Sequence, residues 1–345
     1  MATSGIVPVI DFRPFLVGTT AEKQHTADEL VAAMRDVGFV MLRGFHDERA
    51  VTKPQVAEAF EQAKSFFDLD SATKDEVQWT CPEANRGYVR QGQERVTQAT
   101  EKDEILHLRA TAPDLKEHFE IGKDVRDSEG DSPFPNRWPA SLPAFKPFMN
   151  EFFQSCHRLH LEIMSAVALG LGLSERYFDP MVSQQSHNLR LLNYPSVPRS
   201  AVSSSGNRAG SHSDYGSVTL LFQDSVGGLE VQDKDGKFVP ATPVADTVVV
   251  NVGDLLQRWT NDTLKSTIHR VVLPDGDSEH TPRRQSIAFF SNPSLRQVIT
   301  CLPELGPAKY PPVECEEYLV KRLGETFGTK FEKDIAAASA PVAVA

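Results

Sequence analysis

The sequence predicts an α+β chain with a mainly β core, an antiparallel barrel or jelly roll preceded by helices and a long supporting helix. Two observations carry this. Helix-period segments occupy the first half, whereas from residue 188 the chain changes to short strand-like runs separated by turns. The runs LRLLNY, VTLLFQD, LEVQD, TVVVNVG, IHRVVL and RQSIAFFS are rich in β-branched and aromatic residues. Gly227-Gly228, Asp235-Gly236 and Asp275-Gly276 supply turns. Too few helices lie among these runs for βαβ units, so the strands must pair antiparallel.

In chain order, residues 6–12 (IVPVIDF) read as a short strand with Pro8 and Pro14 beside it. From about Ala21 to Val37 the positions Leu30, Val31, Met34 and Val37 recur at helical spacing, and Gly38 ends that helix. Phe39-Val40-Met41-Leu42 follows as a buried strand, and a second helix runs over Lys53–Phe67. Residues 79–145 read as irregular, rich in Pro, Gly and charge, too long for a linker and suited to covering loops. Phe145 to Leu171 is the longest helix, with Phe148, Phe152, Cys156, Leu159, Ile163 and Val167 on one face. The chain thus divides into an N-terminal region (1–120), a connecting region with the support helix (121–184), a β core (185–295), and a C-terminal helical extension ending in a flexible tail (296–345).

Composition narrows the function. A length of 345 residues is enough for a large core, and 40% apolar with 24% charged residues is ordinary for a soluble globular protein. The net charge of −11 argues against a nucleic-acid binder. No apolar run of about 18 residues is present, so no membrane span is expected. The opening MATSGIVPVIDF lacks the basic and apolar parts of a signal peptide. Cys81, Cys156, Cys301 and Cys315 show no C-x-x-C spacing and read as thiols of a reducing compartment, so a cytoplasmic location is expected.

The chemistry concentrates at His212-Ser213-Asp214 and His269. In a strand, residues i and i+2 share a face, so His212 and Asp214 aim at one point and Ser213 away from it. Two imidazoles and a carboxylate suit iron(II), leaving coordination positions open. The same residue types also serve zinc hydrolases, and H-x-D alone is a common tripeptide. His157 and His160 share a helical face but read as flanking the core helix without metal. Arg284-Gln285-Ser286 pairs a planar guanidinium with a hydroxyl two residues on, a fit for a carboxylate. Alternation puts Arg284, Ser286, Ala288 and Phe290 on one face, and Arg190, Leu192 and Tyr194 together on another strand. Buried arginines need an anion, supplied by a ligand or, at Arg284, by an Asp or Glu.

HSDYGSVTLLFQD, GGLEVQ, NVGDLLQRWTND, KSTIHRVV and RRQSIAFFSNP together resemble the iron(II)- and 2-oxoglutarate-dependent oxygenases of the isopenicillin N synthase-like family. VPVIDF and RDVGFVMLRGF extend the resemblance over nearly the whole chain. CPEANRGYV, the ERVTQ run and APDLKEHFEIG are similar to fungal members of the thymine hydroxylase type and to fungal biosynthetic oxygenases. The resemblance implies a double-stranded β-helix of jelly-roll or cupin-like form, with iron(II), 2-oxoglutarate as cosubstrate, and O2. It implies His212, Asp214 and His269 as iron ligands, and Arg284, Ser286 and Tyr194 as holders of the 2-oxoglutarate carboxylate. It implies Arg190, Tyr215 and Phe290 as ring contacts; Asn85, Arg86 and Tyr88, in the irregular loop, are placed either to close over the substrate or to form a surface turn.

The implied reaction couples decarboxylation of 2-oxoglutarate, to succinate and CO2, to C–H oxidation of a small molecule. A thymine-like pyrimidine or a fungal secondary-metabolite intermediate fits that role. Two departures stand out: Gln285 where relatives often carry Tyr, and Asn193 where a thymine hydroxylase carries His. The rivals are an oxidase of the same fold that uses no 2-oxoglutarate, and a catalytically silent module that binds small acids. The complete triad argues against the second.

Overall fold

The computed structural model describes residues 6–94, 107, 114–124, 134–202, 207–273 and 278–327. The expected tail IAAASAPVAVA, most of the ERVTQ run and the Asp275-Gly276 turn lie outside the described residues.

Strand β1 (Val9–Asp11) and short helix α1 (Arg13–Val17) lead into α2 (Thr20–Asp36). A capping box between Thr19 and Glu22 starts α2, and Gly38, at φ +78°, turns the chain out of it, a conformation that costs glycine no Cβ clash. After β2 (Phe39–Arg43), a second capping box, Thr52 with Gln55, starts α3 (Lys53–Phe67), which is followed by α4 (Ser71–Asp75).

The region expected to be irregular contains two strands, β3 (Gly87–Val89) and β4 (Glu117–Gly122). All six residues of β4 are buried, charged ones included: Phe119 and Ile121 enter the helix-side core while Glu120 pairs with Arg190 on the other face. Helix α5 (Phe145–Gly170) follows, then β5 (Asn188–Tyr194), β6 (Asn207–His212), β7 (Val218–Gln223), β8 (Leu229–Gln232), β9 (Phe238–Pro240) and β10 (Thr247–Val252). The chain continues through α6 (Asp254–Trp259), β11 (His269–Val272), β12 (Arg284–Ser291), the short pair β13 (Val298–Ile299) and β14 (Val313–Glu314), and α7 (Cys315–Phe327).

Eight strands form one sheet in the order β1-β2-β10-β7-β12-β5-β4-β3, and four form another, β6-β11-β8-β9. Every pairing is antiparallel except β1 with β2. The large sheet is covered on one face by α5: Phe153 meets Phe289 at 5.2 Å between ring centroids, and Phe152 meets Phe222 at 5.7 Å. Its other face packs on the small sheet, where Leu192, Tyr194 and Ala288 meet Ala209 and Val271. This two-layer β core with helices on one side is the expected jelly-roll arrangement. Alternation along β12 does the sorting: Ile287 and Phe289 enter the helix-side core, while Arg284, Ser286, Ala288 and Phe290 face a cavity between the sheets.

Candidate active site

His212 ends β6 and His269 begins β11, and the two are direct antiparallel partners, so their rings lie 4.3 Å apart. Asp214 stands beyond the end of β6, in a non-strand segment, which corrects the expectation that H-x-D occupies one strand face. Its carboxylate nevertheless comes level with the imidazoles. Asp214 Oδ1 lies 3.9 Å from His212 Nε2 and 3.8 Å from His269 Nε2.

The reverse side of each group is tied down. His212 Nδ1 is 2.8 Å from the Gly210 carbonyl, and His269 Nδ1 is 3.1 Å from the Thr267 carbonyl. A carbonyl only accepts, so each Nδ1 carries the proton and each Nε2 keeps its lone pair. Asp214 Oδ2 accepts from the Thr219 hydroxyl at 2.6 Å and the Asn251 amide at 2.7 Å, which frees Oδ1. Burial, with His269 beside it, lowers His212 to about 4. Burial would raise the Asp214 carboxyl, but the two imidazoles and its two donors outweigh that and lower it. Three donor atoms thus converge on one point with their supports in place. This set could hold a metal ion, and neutral imidazoles with a carboxylate suit iron(II).

Arg284, Ser286 and Tyr194 line the same cavity from the large sheet. Tyr194 is the cross-strand partner of Arg284, and the guanidinium lies 4.8 Å from its ring centre. Arg284 is 1% exposed, donates to Ser286 Oγ at 3.2 Å, and has no carboxylate partner among the described residues. The salt-bridge alternative for Arg284 is therefore absent there. With Ser286, Tyr194, His212, Asp214 and His269 it lines a cavity of about 70 Å³. Arg208, a residue sequence reasoning missed, covers the same Tyr194 ring at 5.2 Å and donates to the Pro195 and Pro282 carbonyls.

A larger cavity of about 290 Å³ adjoins, sharing Arg190, His212, Asp214 and Phe290 with the first. Arg190 lies 5.2 Å from the Phe290 ring centre. The expectation that its charge awaits an anionic ligand is corrected: Glu94 at 3.2 Å and Glu120 at 2.5 Å already pair with it. Tyr215 joins its hydroxyl to Thr326 of α7 at 2.6 Å, and Leu319, Val320 and Leu323 of that helix line the cavity. The C-terminal extension therefore forms a wall of the site.

Asn85, at φ +44°, and Arg86 also line this cavity. The Arg86 guanidinium packs against Gly122, where a Cβ would come within 1.7 Å of it, so a side chain there would displace the guanidinium. Tyr88 does not join them. It is buried against Phe66, donates to Glu117 and lines neither cavity, which corrects its expected place over the substrate. Asn193 and Gln285 point to the opposite side of the sheet, where Asn193 bonds Glu117 and Arg283.

His187 joins His157 and His160 in a second group of three imidazoles. The Asn292 backbone N–H donates to His187 Nδ1, so the His187 proton sits on Nε2 and serves His157 Nδ1 at 3.0 Å. His187 and His157 are thus joined, whereas both ring nitrogens of the buried His160 have no hydrogen-bond partner among the described residues.

Family descriptions match the chain in two places: "2OG-Fe(II) oxygenase superfamily" over residues 185–293 and "non-haem dioxygenase in morphine synthesis N-terminal" over 7–141. The structure of the Neurospora crassa thymine hydroxylase in complex with alpha-KG and thymine superposes with a TM-score of 0.83 at 43% identity, covering 94% of this chain and 99% of that one. The 2-oxoglutarate-Fe(II) type oxidoreductase ppzD of Metarhizium majus is 34% identical, covering 93% of this chain and 95% of its own length. Proline hydroxylase buaE of Petromyces alliaceus is 36% identical, covering 92% of this chain and 98% of its own. The chain belongs to the 2OG-Fe(II) oxygenase superfamily: it is an iron- and 2-oxoglutarate-dependent dioxygenase acting on a small molecule.

Proposed function

We propose that the chain hydroxylates a flat, thymine-like ring, drawing on 2-oxoglutarate held by Arg284, Ser286 and Tyr194 and on iron(II) held by His212, Asp214 and His269. The observation that carries this is the buried Arg284 guanidinium without a carboxylate partner, opening into the cavity that holds the three metal-type donors. Such a cation is costly unless a ligand anion completes it. Iron(II) bound at the triad would supply oxygen activation, with two of the four electrons O2 takes coming from 2-oxoglutarate as it becomes succinate and CO2 and two from the substrate C–H bond.

The chain's own residues bind and orient. Thr219 and Asn251 hold the Asp214 carboxylate so that one oxygen faces the metal position. Phe290 and Tyr215 give apolar faces to a planar substrate, Arg190 an N–H donor, and Asn85 and Arg86 the far wall. Helix α7 limits water entry from the side of Tyr215. The likeness to the thymine-bound Neurospora crassa enzyme supports a pyrimidine. Asn193, the departure from that type, faces away from both cavities and so leaves the reading intact.

The test is succinate formation by purified protein given iron(II), ascorbate, 2-oxoglutarate and thymine. Thymine-dependent succinate with a hydroxylated pyrimidine product is expected. Succinate formation that thymine leaves unchanged refutes the substrate. Oxygen uptake that needs no 2-oxoglutarate refutes the clamp.

A further inference from the structure

Arg190 and Arg284 both reach the space between the sheets, yet their surroundings are opposite. Arg284 meets no carboxylate among the described residues, whereas Arg190 meets two. Glu94 contacts one terminal nitrogen of Arg190 at 3.2 and 3.4 Å, and Glu120 contacts Nε at 2.5 Å. Both carboxylates are buried, Glu94 at 3% and Glu120 at 0% exposure. Glu94 is also held by Lys116 at 2.9 Å and lies 3.7 Å from His118. Burial alone would raise the Glu94 carboxyl, but Arg190, Lys116 and His118 hold it well below the usual range, and Arg190 is raised by its two partners. The second terminal nitrogen of Arg190 meets no carboxylate among the described residues, and Arg190 and Glu94 both line the larger cavity.

We infer that Glu94, backed by Glu120, is a specificity-determining residue: it cancels the charge of Arg190 and turns it into a donor for a neutral carbonyl oxygen, so the site selects uncharged rings over anionic ones. A carboxylate brought to Arg190 would be the third around one guanidinium, and like charges at such distances in a buried site repel strongly. A lone carbonyl oxygen, by contrast, accepts from the remaining N–H without adding charge. The division of labour follows: the anion clamp at Arg284 takes the dianionic cosubstrate, and the neutralised Arg190 rejects it.

This inference rests on the reading of Arg190 as a substrate contact. Its test uses near-isosteric probes of different charge, 5-formyluracil and uracil-5-carboxylate, titrated calorimetrically and without oxygen into protein loaded with iron(II) and 2-oxoglutarate. Wild type is expected to prefer the neutral ring by more than about tenfold. Glu94→Gln, which keeps the shape and removes the charge, is expected to shrink that ratio at least about threefold. Glu120→Gln is the second variant should Glu94→Gln lose its melting transition.

Benzamide and benzoate, as inhibitors of substrate-free 2-oxoglutarate turnover, repeat the comparison without a pyrimidine. A charge preference in this pair alone leaves the inference standing and removes the pyrimidine. Equal affinity for both members of a bound pair in wild type, or an unchanged ratio in the folded variants, overturns the inference. A site that holds none of the four rings overturns the substrate reading, and the inference with it.

Discussion

Arg284→Leu separates a ligand clamp from a structural cation, because the two predict opposite signs. In the ligand-free protein the guanidinium makes one side-chain hydrogen bond, to Ser286 at 3.2 Å, and stacks on Tyr194 at 4.8 Å. Losing both costs about 1–3 kcal/mol. Against that stands the desolvation of a cation at 1% exposure with no carboxylate among the described residues, a penalty of several kcal/mol. Arg208 adds to it: burial chiefly lowers that guanidinium, and repulsion with Arg284 lowers it further. The ligand-free variant should therefore melt at or a few degrees above wild type. Binding of 2-oxoglutarate should move the other way. A guanidinium–carboxylate pair makes two charge-assisted hydrogen bonds of about 1.5–3 kcal/mol each, so affinity should fall by about 10²–10⁴. Calorimetry and the dependence of succinate formation on 2-oxoglutarate measure the second effect, and differential scanning calorimetry the first. A KM for 2-oxoglutarate within about threefold of wild type, or a melting temperature lowered by about 10 °C, would refute the reasoning.

Three further outcomes are expected. Thr219→Val removes the 2.6 Å bond to Asp214 at constant volume and should weaken iron(II) binding about 10–100-fold, read by chelator competition. Tyr215→Phe unties α7 from the residue after Asp214 and should raise the substrate KM several-fold while leaving that for 2-oxoglutarate unchanged. Stability should fall with acid through the buried histidines: burial lowers His157 to about 4 and His160 to about 3. The unfolded chain takes up their protons first, so their contribution is complete above about pH 6.5 and is lost as pH falls toward about 4. His160→Phe, which also removes two buried ring nitrogens without hydrogen-bond partners, should flatten the fall in melting temperature between about pH 7.5 and 5.

Strands β5 and β12 could be read from sequence because each alternates residues bound for two different environments. RQSIAFFS sends Ile287 and Phe289 to the helices and Arg284, Ser286 and Phe290 to the cavity. Strand β4 escaped notice because its inward polar residues are satisfied by partners far along the chain: Glu117 by Lys74 and Asn193, and Glu120 by Arg190. For the same reason Glu94 looked like loop charge, though it governs Arg190. Asn251 lay inside a quoted motif, yet its role depends on a contact with Asp214 that only the sheet register creates. Strand β6 lacks an apolar stripe, and with it Arg208 was passed over. Local pattern reveals which face a residue takes, but pairings between distant charges are set by topology.

The three converging donors do not hang from one layer. His212 and His269 belong to the small sheet, whereas the far oxygen of Asp214 is fastened to Thr219 on β7 and Asn251 on β10 of the large one. An ion seated there acts as a rivet through the seam between the sheets. Loading should therefore stiffen the whole sandwich, by RT ln(1 + [Fe]/Kd), as well as arm it. Starving a cell of iron would then loosen the very walls that shape the substrate cavity, linking the protein's lifetime to the supply of its metal.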